Sequence, residues 1–558
     1  MSAADEPYAP DRHIPVRYDR YGDPEWHTVL SLPDSSVGIC TMVPTRVIPV
    51  IFVPGVMGSN LKGIKNKNVT WRLDTKTSAL PWLTRDAAYR KKNLNPQAMT
   101  VDDGGLLPIT TQQHQDELKS RGWGEVAAIS YGDWLAWLEN ALNDFESAHA
   151  GLRDQMIGIV MPAAQGGEAL TRDEVALSYR YRFPVWACGY NWLDDNKASA
   201  GLLQKRINTA LDRYRGEGKT CDKVILVTHS MGGLVARYAS EVMGMTDTIY
   251  GIVHGVMPAI GAAATYRRIK SGTENPSSGL ARGLNSPKEW ASGHMASEVL
   301  GYDAAENTAV MSGAPGPLQL LPTPEYGNGW LRIEQRGSVP SALPQHGDPY
   351  SEIYTVRGAW WGLIDDQLIN PLNTESDPVK KQAQVDRDWS AFMDIMNQQV
   401  KPFHHDIAGK YHGHTYAFYG DDSAYPAYGN VTWTGGSRWG VAALSGNRPA
   451  DPWQAKALDP GEMGSTRTVA TPMQGIGWKT EVNQGYTISD PEEMGDGTVP
   501  QRSGKAPLGE RGVQICVSYL GISHEGAYRV ETCKRFTLWA ITKIAQRVKG
   551  TVMAYDAR

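Results

Sequence analysis

Three residues that lie far apart in the sequence have the types and the order needed for attack by a serine on an acyl carbonyl. Ser230 lies in the run Thr-His-Ser-Met-Gly-Gly at 228–233. Asp496 lies in a glycine-rich turn, and His524 follows the apolar run 513–520. A serine hydroxyl is a weak nucleophile until a histidine accepts its proton and a carboxylate orients that histidine. We therefore predict that Ser230, Asp496 and His524 form a catalytic triad.

The surroundings of Ser230 predict a sharp turn between a strand and a helix. An apolar run at 224–227 precedes the serine. After it, apolar residues recur at helical spacing at Leu234, Val235, Tyr238 and Val242. Such a turn holds the hydroxyl clear of its own backbone, and Gly232 and Gly233 fit it. Thr228 occupies the position where the first glycine of such turns usually stands, which favours the simpler interpretation of a buried turn serine.

The acid and the histidine also have simpler interpretations when each is considered alone. Asp496 fits an ordinary turn aspartate, and His524 fits an ordinary loop histidine. The order serine, acid, histidine and the strand-like runs before them favour the triad. Asp490 is the alternative acid. Apolar residues then recur at three- and four-residue spacing over 538–548, which predicts a closing helix on the face of a sheet.

A second loop supplies candidate donors for the oxyanion that this chemistry produces. The apolar run 48–53 predicts a buried strand, which ends at Pro-Gly-Val-Met-Gly-Ser in 54–59. We predict that the N–H of Val56 and the N–H of Met231, the residue after the nucleophile, hold the oxyanion. A plain strand-to-loop turn is the simpler interpretation, but it leaves the later small residues of the loop unexplained.

Five separate stretches share their order with the motifs of one enzyme family. They lie at 52–59, 189–192, 228–233, 495–500 and 523–524. Together they resemble the lecithin:cholesterol acyltransferase family, which includes lysosomal phospholipase A and the phospholipid:diacylglycerol acyltransferases. They resemble the glycosylphosphatidylinositol-deacylase esterases more loosely. The second stretch departs from the family pattern, because Asn191 and Leu193 replace an aspartate and an arginine.

This resemblance implies both a fold and an activity. The fold is the α/β-hydrolase fold, a central and mostly parallel sheet flanked by helices, with large cap or lid insertions. The activity is the serine-dependent hydrolysis of carboxylic esters, which releases fatty acid from phospholipids or related acyl lipids as a phospholipase A does. One alternative is an acyltransferase of the same family. Another is a hydrolase-fold binding protein without turnover, which Thr228 would permit if it tilts the turn at Ser230.

The positions of the motifs divide the chain into four predicted parts. These are an N-terminal arm (1–45), a first part of the hydrolase core (46–255, with an insertion near 60–180), a cap or lid insertion (256–410) and a second part of the core (411–558, with an excursion near 425–490). Because α/β-hydrolases accept long insertions between their strands, one enlarged domain is favoured over three in tandem.

The predicted cap contains an apolar stripe that is a candidate for substrate binding. It consists of Trp389, Phe392, Met393, Met396 and Val400, which recur at helical spacing. Tryptophan suits a lipid–water interface, because it joins an apolar ring to one polar N–H group. We therefore assign Trp389, Phe392 and Met393 to an acyl-chain groove or a lipid-contacting lid. Packing within the cap's own core is the simpler alternative, because soluble helices bury such faces routinely.

Composition narrows the classes of partner and cofactor. The net charge of the 558 residues is −5, with both signs mixed along the chain, so no nucleic-acid partner is expected. The five cysteines are scattered and include no C-x-x-C pair, which argues against a disulfide framework and against zinc. We interpret the cluster His404, His405, His412 and His414 as structural and predict no metal site. No cofactor is expected, and nothing in the sequence indicates calcium.

The beginning of the chain and its hydropathy lead to an expectation about location. No apolar run approaches about 18–20 residues, and the first residues lack the basic and apolar regions of a Sec signal. We expect a protein that is soluble and cytoplasmic as made. An unregulated lipid hydrolase endangers its own cell, so we expect an antibacterial toxin that a specialised secretion system such as type VI delivers to a target membrane. A dedicated immunity protein would be its partner. A cytoplasmic lipid-remodelling enzyme without an inhibitor is the alternative.

Overall fold

A six-stranded parallel sheet forms the centre of the structure. The computed structural model describes residues 12–27, 36–145, 151–163, 166–273, 301–335, 341–437, 448–449, 451–474 and 481–555. The strands of the main sheet are β1 (Val50–Val53), β2 (Val185–Ala187), β3 (Val224–His229), β4 (Ile249–Gly255), β5 (Thr415–Gly420) and β6 (Val513–Tyr519). Their order across the sheet is 2-1-3-4-5-6, and every neighbouring pair is parallel.

The main-sheet strands come from continuous apolar runs because the sheet is covered on both faces. Every residue of β1, β3 and β4 is buried. Side chains alternate between two cores, so that Ile51 and Val53 enter one core while Val50 and Phe52 enter the other. The order of the strands reverses at β1, which places β2 on one side of it and β3 on the other. Ligands of open α/β sheets bind at such a reversal, beyond the carboxyl ends of the strands.

Helices cover both faces of this sheet. The six that matter below are α1 (Ala128–Leu142), α2 (Asn196–Gly216), α3 (Gly232–Arg237), α4 (Ala263–Ser271), α5 (Pro378–Ile395) and α6 (Glu531–Ala545). Apolar side chains of α2, α3, α4 and α5 pack in the first core, and those of α1 and α6 pack in the second. The predicted closing helix is α6, where Leu538 and Ile541 are buried, so that prediction is confirmed.

A second sheet has seven strands, and two separate parts of the chain contribute to it. Its strands are Leu331–Gln335, Ser341–Leu343, Val431–Ser437, Arg448–Pro449, Lys456–Ala457, Thr466–Gln474 and Glu481–Ile488. The first of these runs parallel to the third, with Leu331 opposite Val431. The predicted cap and the predicted excursion therefore share one sheet. The four-part division of the chain remains a prediction.

Shorter elements connect these two sheets or lie beside them. The short strands are Arg12–Ile14, Val16–Tyr18, Pro24–Trp26, Gly38–Cys40, Leu61–Gly63, Val69–Trp71, Met99–Val101, Val160–Ala163, Gly166–Ala169, Asp422–Ala427 and Glu493–Gly495. The other helices of six or more residues are Ala87–Asn93, Gln115–Ser120, Arg172–Ser178, Ala304–Met311 and Lys401–Ile407. Within the described ranges, no helix has both the length and the apolar character needed to cross a membrane.

The predicted N-terminal arm lies against the main body where it is described. Residues 1–11 and 28–35 of this arm lie outside the described residues. The carbonyl of Gly22 accepts a hydrogen bond from Arg182, and the carbonyl of Tyr21 accepts one from Arg213. These contacts connect the arm to the edge of the main sheet and to α2.

Candidate active site

Ser230 stands at a strained turn between β3 and α3. Its φ is 53°, a left-handed conformation that is uncommon for a residue with a side chain, and its N–H donates to the carbonyl of Gly255 at 2.9 Å. A Cβ on Gly232 would lie 2.4 Å from the carbonyl oxygen of Val53, so only glycine fits where the turn passes β1. The local structure is therefore the sharp strand-to-helix turn that the sequence predicts.

The structure explains how Thr228 replaces the usual first glycine of this turn. Thr228 is buried in β3 and lies opposite His254 of β4. Its Oγ1 forms a hydrogen bond with Nδ1 of His254 at 2.8 Å. A buried histidine on the neighbouring strand thus satisfies the hydroxyl, and the branched side chain is accommodated next to a normally formed turn.

The structure brings the three predicted triad residues together. Nε2 of His524 lies 2.8 Å from Oγ of Ser230, and Nδ1 of His524 lies 2.7 Å from Oδ2 of Asp496. The carboxylate can only accept, so Nδ1 carries the proton and Nε2 accepts from the serine hydroxyl. The other carboxylate oxygen accepts from the N–H groups of Thr498 and Val499 at 3.0 and 2.7 Å. This arrangement fixes the carboxylate against the imidazole.

The carboxylate reaches the site although the second sheet separates it from β5 in the sequence. Asp496 packs against the end of β5, where a Cβ on Gly420 would lie 2.7 Å from the Cβ of Asp496. The main-chain N–H of His524 donates to the carbonyl of Asp496 at 2.8 Å, so the two loops are also joined through their backbones. Asp490, the alternative acid, is exposed and does not line the pocket above Ser230.

The two predicted oxyanion donors belong to residues near the nucleophile, because Met231 follows Ser230 in the chain and Val56 lines the same pocket. No hydrogen bond within the described part of the chain uses the N–H of Val56 or the N–H of Met231. Met57 has a φ of 63°, and the N–H of Gly58 donates to the carbonyl of Gly55 at 3.1 Å, which turns the loop tightly. Both main-chain N–H groups thus remain without a partner among the described residues, and their role as the oxyanion hole stays a prediction.

Comparisons with known proteins agree with this geometry. Residues 196–268, which run from α2 through the turn at Ser230 into α4, match the family model of the PGAP1-like alpha/beta domain. A chain of the solved Tle4–Tli4 complex is 27% identical to this chain, with a TM-score of 0.69. That match covers 89% of this chain and 98% of the other. The chain has the α/β-hydrolase fold.

The remaining comparisons support no further argument. Phospholipase PlaB from Legionella pneumophila is 10% identical over 85% of this chain and 93% of its own, with a TM-score of only 0.18. No curated protein matches the chain. The predicted fold class and the resemblance to lipase-like α/β-hydrolases are confirmed by the PGAP1-like segment and by the chain from the Tle4–Tli4 complex.

The pocket above Ser230 is lined by both apolar side chains and polar ones, which include the catalytic residues. Its empty volume is about 900 Å³, the open mouth included. Leu73 and Met57 line it beside the oxyanion loop, and Pro258, Ala262 and Leu320 line it on the side of α4. Arg268 of α4 also lines the pocket and donates to Oγ1 of Thr498 at 3.1 Å.

The predicted substrate-binding stripe lies away from this pocket. Trp389 and Phe392 are 8% and 1% exposed and belong to the first core, and Met393 packs against the same core. None of the three is among the described residues that line the pocket above Ser230. The structure therefore does not place the stripe at the site. Core packing, the simpler alternative, accounts for its position.

The four clustered histidines have separate surroundings. His404 is buried between the hydroxyl of Tyr350 at 2.7 Å and the carbonyl of Gln319 at 2.8 Å, and burial lowers its pKa to about 4. His405 is exposed, and His412 accepts from the N–H of His414 at 3.1 Å. Across the ranges that the structure describes, no three His, Cys, Asp or Glu side chains are grouped as metal ligands would be.

Two buried residues beside the triad were not predicted from the sequence. His229 precedes the nucleophile, and its Nε2 lies 2.8 Å from the carbonyl oxygen of His524. Tyr131 of α1 places its hydroxyl 3.0 Å from Nδ1 of His229 and accepts from the N–H of Gly55 at 3.2 Å. A polar histidine at the end of an apolar strand was visible in the sequence, but nothing local to Tyr131 distinguished it from a core tyrosine.

Proposed function

We propose that the chain is a serine-dependent carboxylic ester hydrolase that acts on acyl lipids, as a phospholipase A does. The observation on which this proposal rests is the hydrogen-bonded series Ser230, His524 and Asp496, with distances of 2.8 and 2.7 Å, beneath a largely apolar pocket. The similarity to a PGAP1-like domain and to a chain of the Tle4–Tli4 complex supports a lipase-like enzyme.

The reaction follows from the positions of these groups. Oγ of Ser230 attacks the acyl carbonyl carbon while Nε2 of His524 takes the hydroxyl proton. The carbonyl oxygen becomes an oxyanion, which the N–H groups of Val56 and Met231 stabilise. His524 then gives its proton to the departing alcohol, and the acyl group remains on Ser230. Water then attacks the acyl carbonyl while His524 takes its proton, and His524 returns that proton to Oγ of Ser230 as the fatty acid leaves. Asp496 holds the imidazole and stabilises its cationic form throughout.

The walls of the pocket support an acyl-lipid substrate with an anionic headgroup. The apolar side chains of Leu73, Ala262 and Leu320 offer a surface for an acyl chain, which water would otherwise solvate at a cost. The guanidinium of Arg268 is the group in the same lining that pairs with a phosphodiester, because it donates several parallel N–H bonds. A neutral ester lacks that partner, so we favour phospholipids over neutral glycerides.

A covalent probe and a product analysis test this proposal. A fluorophosphonate should label the wild-type protein at Ser230 and leave Ser230→Ala unlabelled, since only an activated serine reacts. Absence of labelling in the wild type would support the binding protein without turnover. Mass spectrometry of products from a mixed phospholipid extract, with and without an added acceptor alcohol, separates hydrolysis from acyl transfer. Free fatty acid with lysophospholipid is the expected product, and a new ester would indicate the acyltransferase.

We further propose that the enzyme is an antibacterial toxin with a dedicated inhibitor protein. The similar chain of the Tle4–Tli4 complex was solved together with a second protein, which supports a partner for this chain as well. A stable inhibitor would cover the mouth above Ser230 and bury upward of about 1,000 Å². Expression in a bacterium, in the cytoplasm and with an export signal, tests the toxin. Killing should require both export and Ser230, and harmless export of an active enzyme would favour the lipid-remodelling alternative.

A further inference from the structure

A single chain of hydrogen bonds joins the oxyanion loop to the main chain of the base. The N–H of Gly55 donates to the hydroxyl of Tyr131 at 3.2 Å, that hydroxyl lies 3.0 Å from Nδ1 of His229, and Nε2 of His229 lies 2.8 Å from the carbonyl of His524. Tyr131 and His229 are both buried. This series of hydrogen bonds thus connects the loop after β1, the end of β3 and the loop after β6.

The direction of every bond in this chain is determined by chemistry. The carbonyl of His524 can only accept, so Nε2 of His229 carries a proton. Nδ1 of the neutral ring must then accept, and the Tyr131 hydroxyl donates to it. The oxygen of Tyr131 remains free to accept from the N–H of Gly55. Burial, followed by the effect of the neighbouring His524, lowers the pKa of His229 to about 3, so the ring stays neutral at ordinary pH.

The packing around these hydrogen bonds leaves little freedom for the loops that they join. A Cβ on Gly55 would lie 2.9 Å from Nδ1 of His229 and 3.0 Å from the Cβ of Ser230. A Cβ on Gly58 would lie 2.8 Å from the ring of Tyr131. The oxyanion loop is therefore pressed directly against the tyrosine and the histidine, and any shift of either side chain moves the loop.

We propose that His229 and Tyr131 are positioning residues that set the distance between the base His524 and the oxyanion donors of the Val56 loop. This inference rests on the proposed hydrolase function. Attack by Ser230 requires that the base and the oxyanion donors be in their correct positions at the same time. A misplacement of about 1 Å costs up to about 100-fold in rate. Neither residue contacts the reacting atoms in this role, because each acts through the main chain of a loop.

Removal of one hydroxyl tests the proposal directly. Tyr131→Phe keeps the ring but removes the acceptor for Gly55 and the donor for His229. We expect kcat, expressed per site titrated with a fluorophosphonate, to fall by about 10-fold or more on a short soluble ester, with KM within about 2-fold. A role in stability alone would lower the number of titrated sites and leave kcat per site unchanged.

The matched control is Tyr528→Phe. Tyr528 is also buried at this turn, and its hydroxyl donates to the carbonyl of Thr228 at 2.8 Å, but it lies outside the chain of hydrogen bonds. We expect its kcat per titrated site to stay within about 2-fold of the wild type. Equal rates for Tyr131→Phe and Tyr528→Phe would overturn the proposal, while loss of labelling in the wild type would contradict the hydrolase function itself.

Substitutions at His229 test the positioning role independently. His229→Gln keeps an N–H near the position of Nε2, so it should retain more activity per titrated site than His229→Ala. The double variant Tyr131→Phe with His229→Ala should be about as slow as the slower single variant, because the two residues act as one unit. Losses that multiply, with no rescue by glutamine, would contradict the positioning chain. If the alanine variants fail to fold, the result for Tyr131→Phe still decides the question.

Discussion

The main sheet and the second sheet differ in how their sequence relates to their structure. In the main sheet, two of the three triad residues follow a strand made from one apolar run, because Ser230 follows β3 and His524 follows β6. The second sheet joins strands near 331 and 431, and no local feature records that pairing. Chemistry constrains the loops of the first sheet residue by residue, whereas the second sheet requires only that apolar and aromatic side chains be buried.

Two tryptophans that pack near the second sheet illustrate this difference. Trp360 donates its ring N–H to the carbonyl of Pro452 at 2.9 Å, and Trp361 donates to the carbonyl of Trp453 at 2.8 Å. Both rings are buried, and Trp360 stacks on Tyr486 at 5.0 Å between ring centroids. These contacts connect the turn that contains Trp360 and Trp361 to the short 3-10 helix Pro452–Gln454 and to the second sheet. Tryptophan, the residue type that suggested a lipid interface at Trp389, is therefore a buried core residue with a satisfied N–H at Trp360 and Trp361.

The largest effect should come from removal of the nucleophile or the base. Ser230→Ala and His524→Ala should each lower kcat/KM by on the order of 10⁴-fold or more, because each removes the proton transfer that activates the attack. The double variant should be little worse than either one, since the residues act as a unit. Steady-state rates on a short ester measure all three. Losses that multiply in the double variant would contradict the triad.

Replacement of the acid should cost somewhat less. Asp496→Asn keeps the side-chain shape but removes the charge that orients His524 and stabilises its cation, so we expect a loss of about 10³–10⁴-fold in kcat. Far-ultraviolet circular dichroism should be unchanged. Asp490→Asn is the matched control, because Asp490 is exposed and outside the pocket. Inactivation by Asp490→Asn rather than by Asp496→Asn would show that the acid is wrongly assigned.

The site shows which structural features a single sequence reveals. The apolar runs that precede Gly55 and Ser230 were sufficient to predict β1, β3 and the turn at Ser230, because a parallel strand is buried on both faces. Tyr131 was not predicted, because its role depends on contacts with His229 and Gly55 that are distant in the sequence. The stripe at Trp389 was misleading for a related reason: helical periodicity shows that one face is buried, but it does not show what covers that face.

A substitution in the stripe should affect stability rather than lipid selectivity. Phe392 is 1% exposed, so Phe392→Ala should lower the free energy of unfolding by about 3–5 kcal/mol. Total activity should then fall equally on phospholipid vesicles and on a short soluble ester, while activity per folded molecule stays unchanged on both. Chemical denaturation and paired assays measure the two quantities. A selective loss on vesicles with unchanged stability would restore the acyl-groove interpretation and would weaken the contrast between the two sheets.

The smallest effect should come from Arg268, which belongs to α4 and lines the pocket above Ser230. Arg268→Gln removes the charge but keeps a side chain able to bond Thr498. One charge-assisted hydrogen bond is worth about 1.5–3 kcal/mol, and partial exposure reduces that, so we expect about a 10-fold loss in kcat/KM on phospholipids. A short neutral ester should be hydrolysed at an unchanged rate, because it has no phosphate to pair with the guanidinium. The difference between the substrates should shrink as salt is raised, since screening weakens exposed charge pairs. Equal losses on both substrates would mean that Arg268 supports the Asp496 turn through Thr498, and the preference for phospholipids would then need another source.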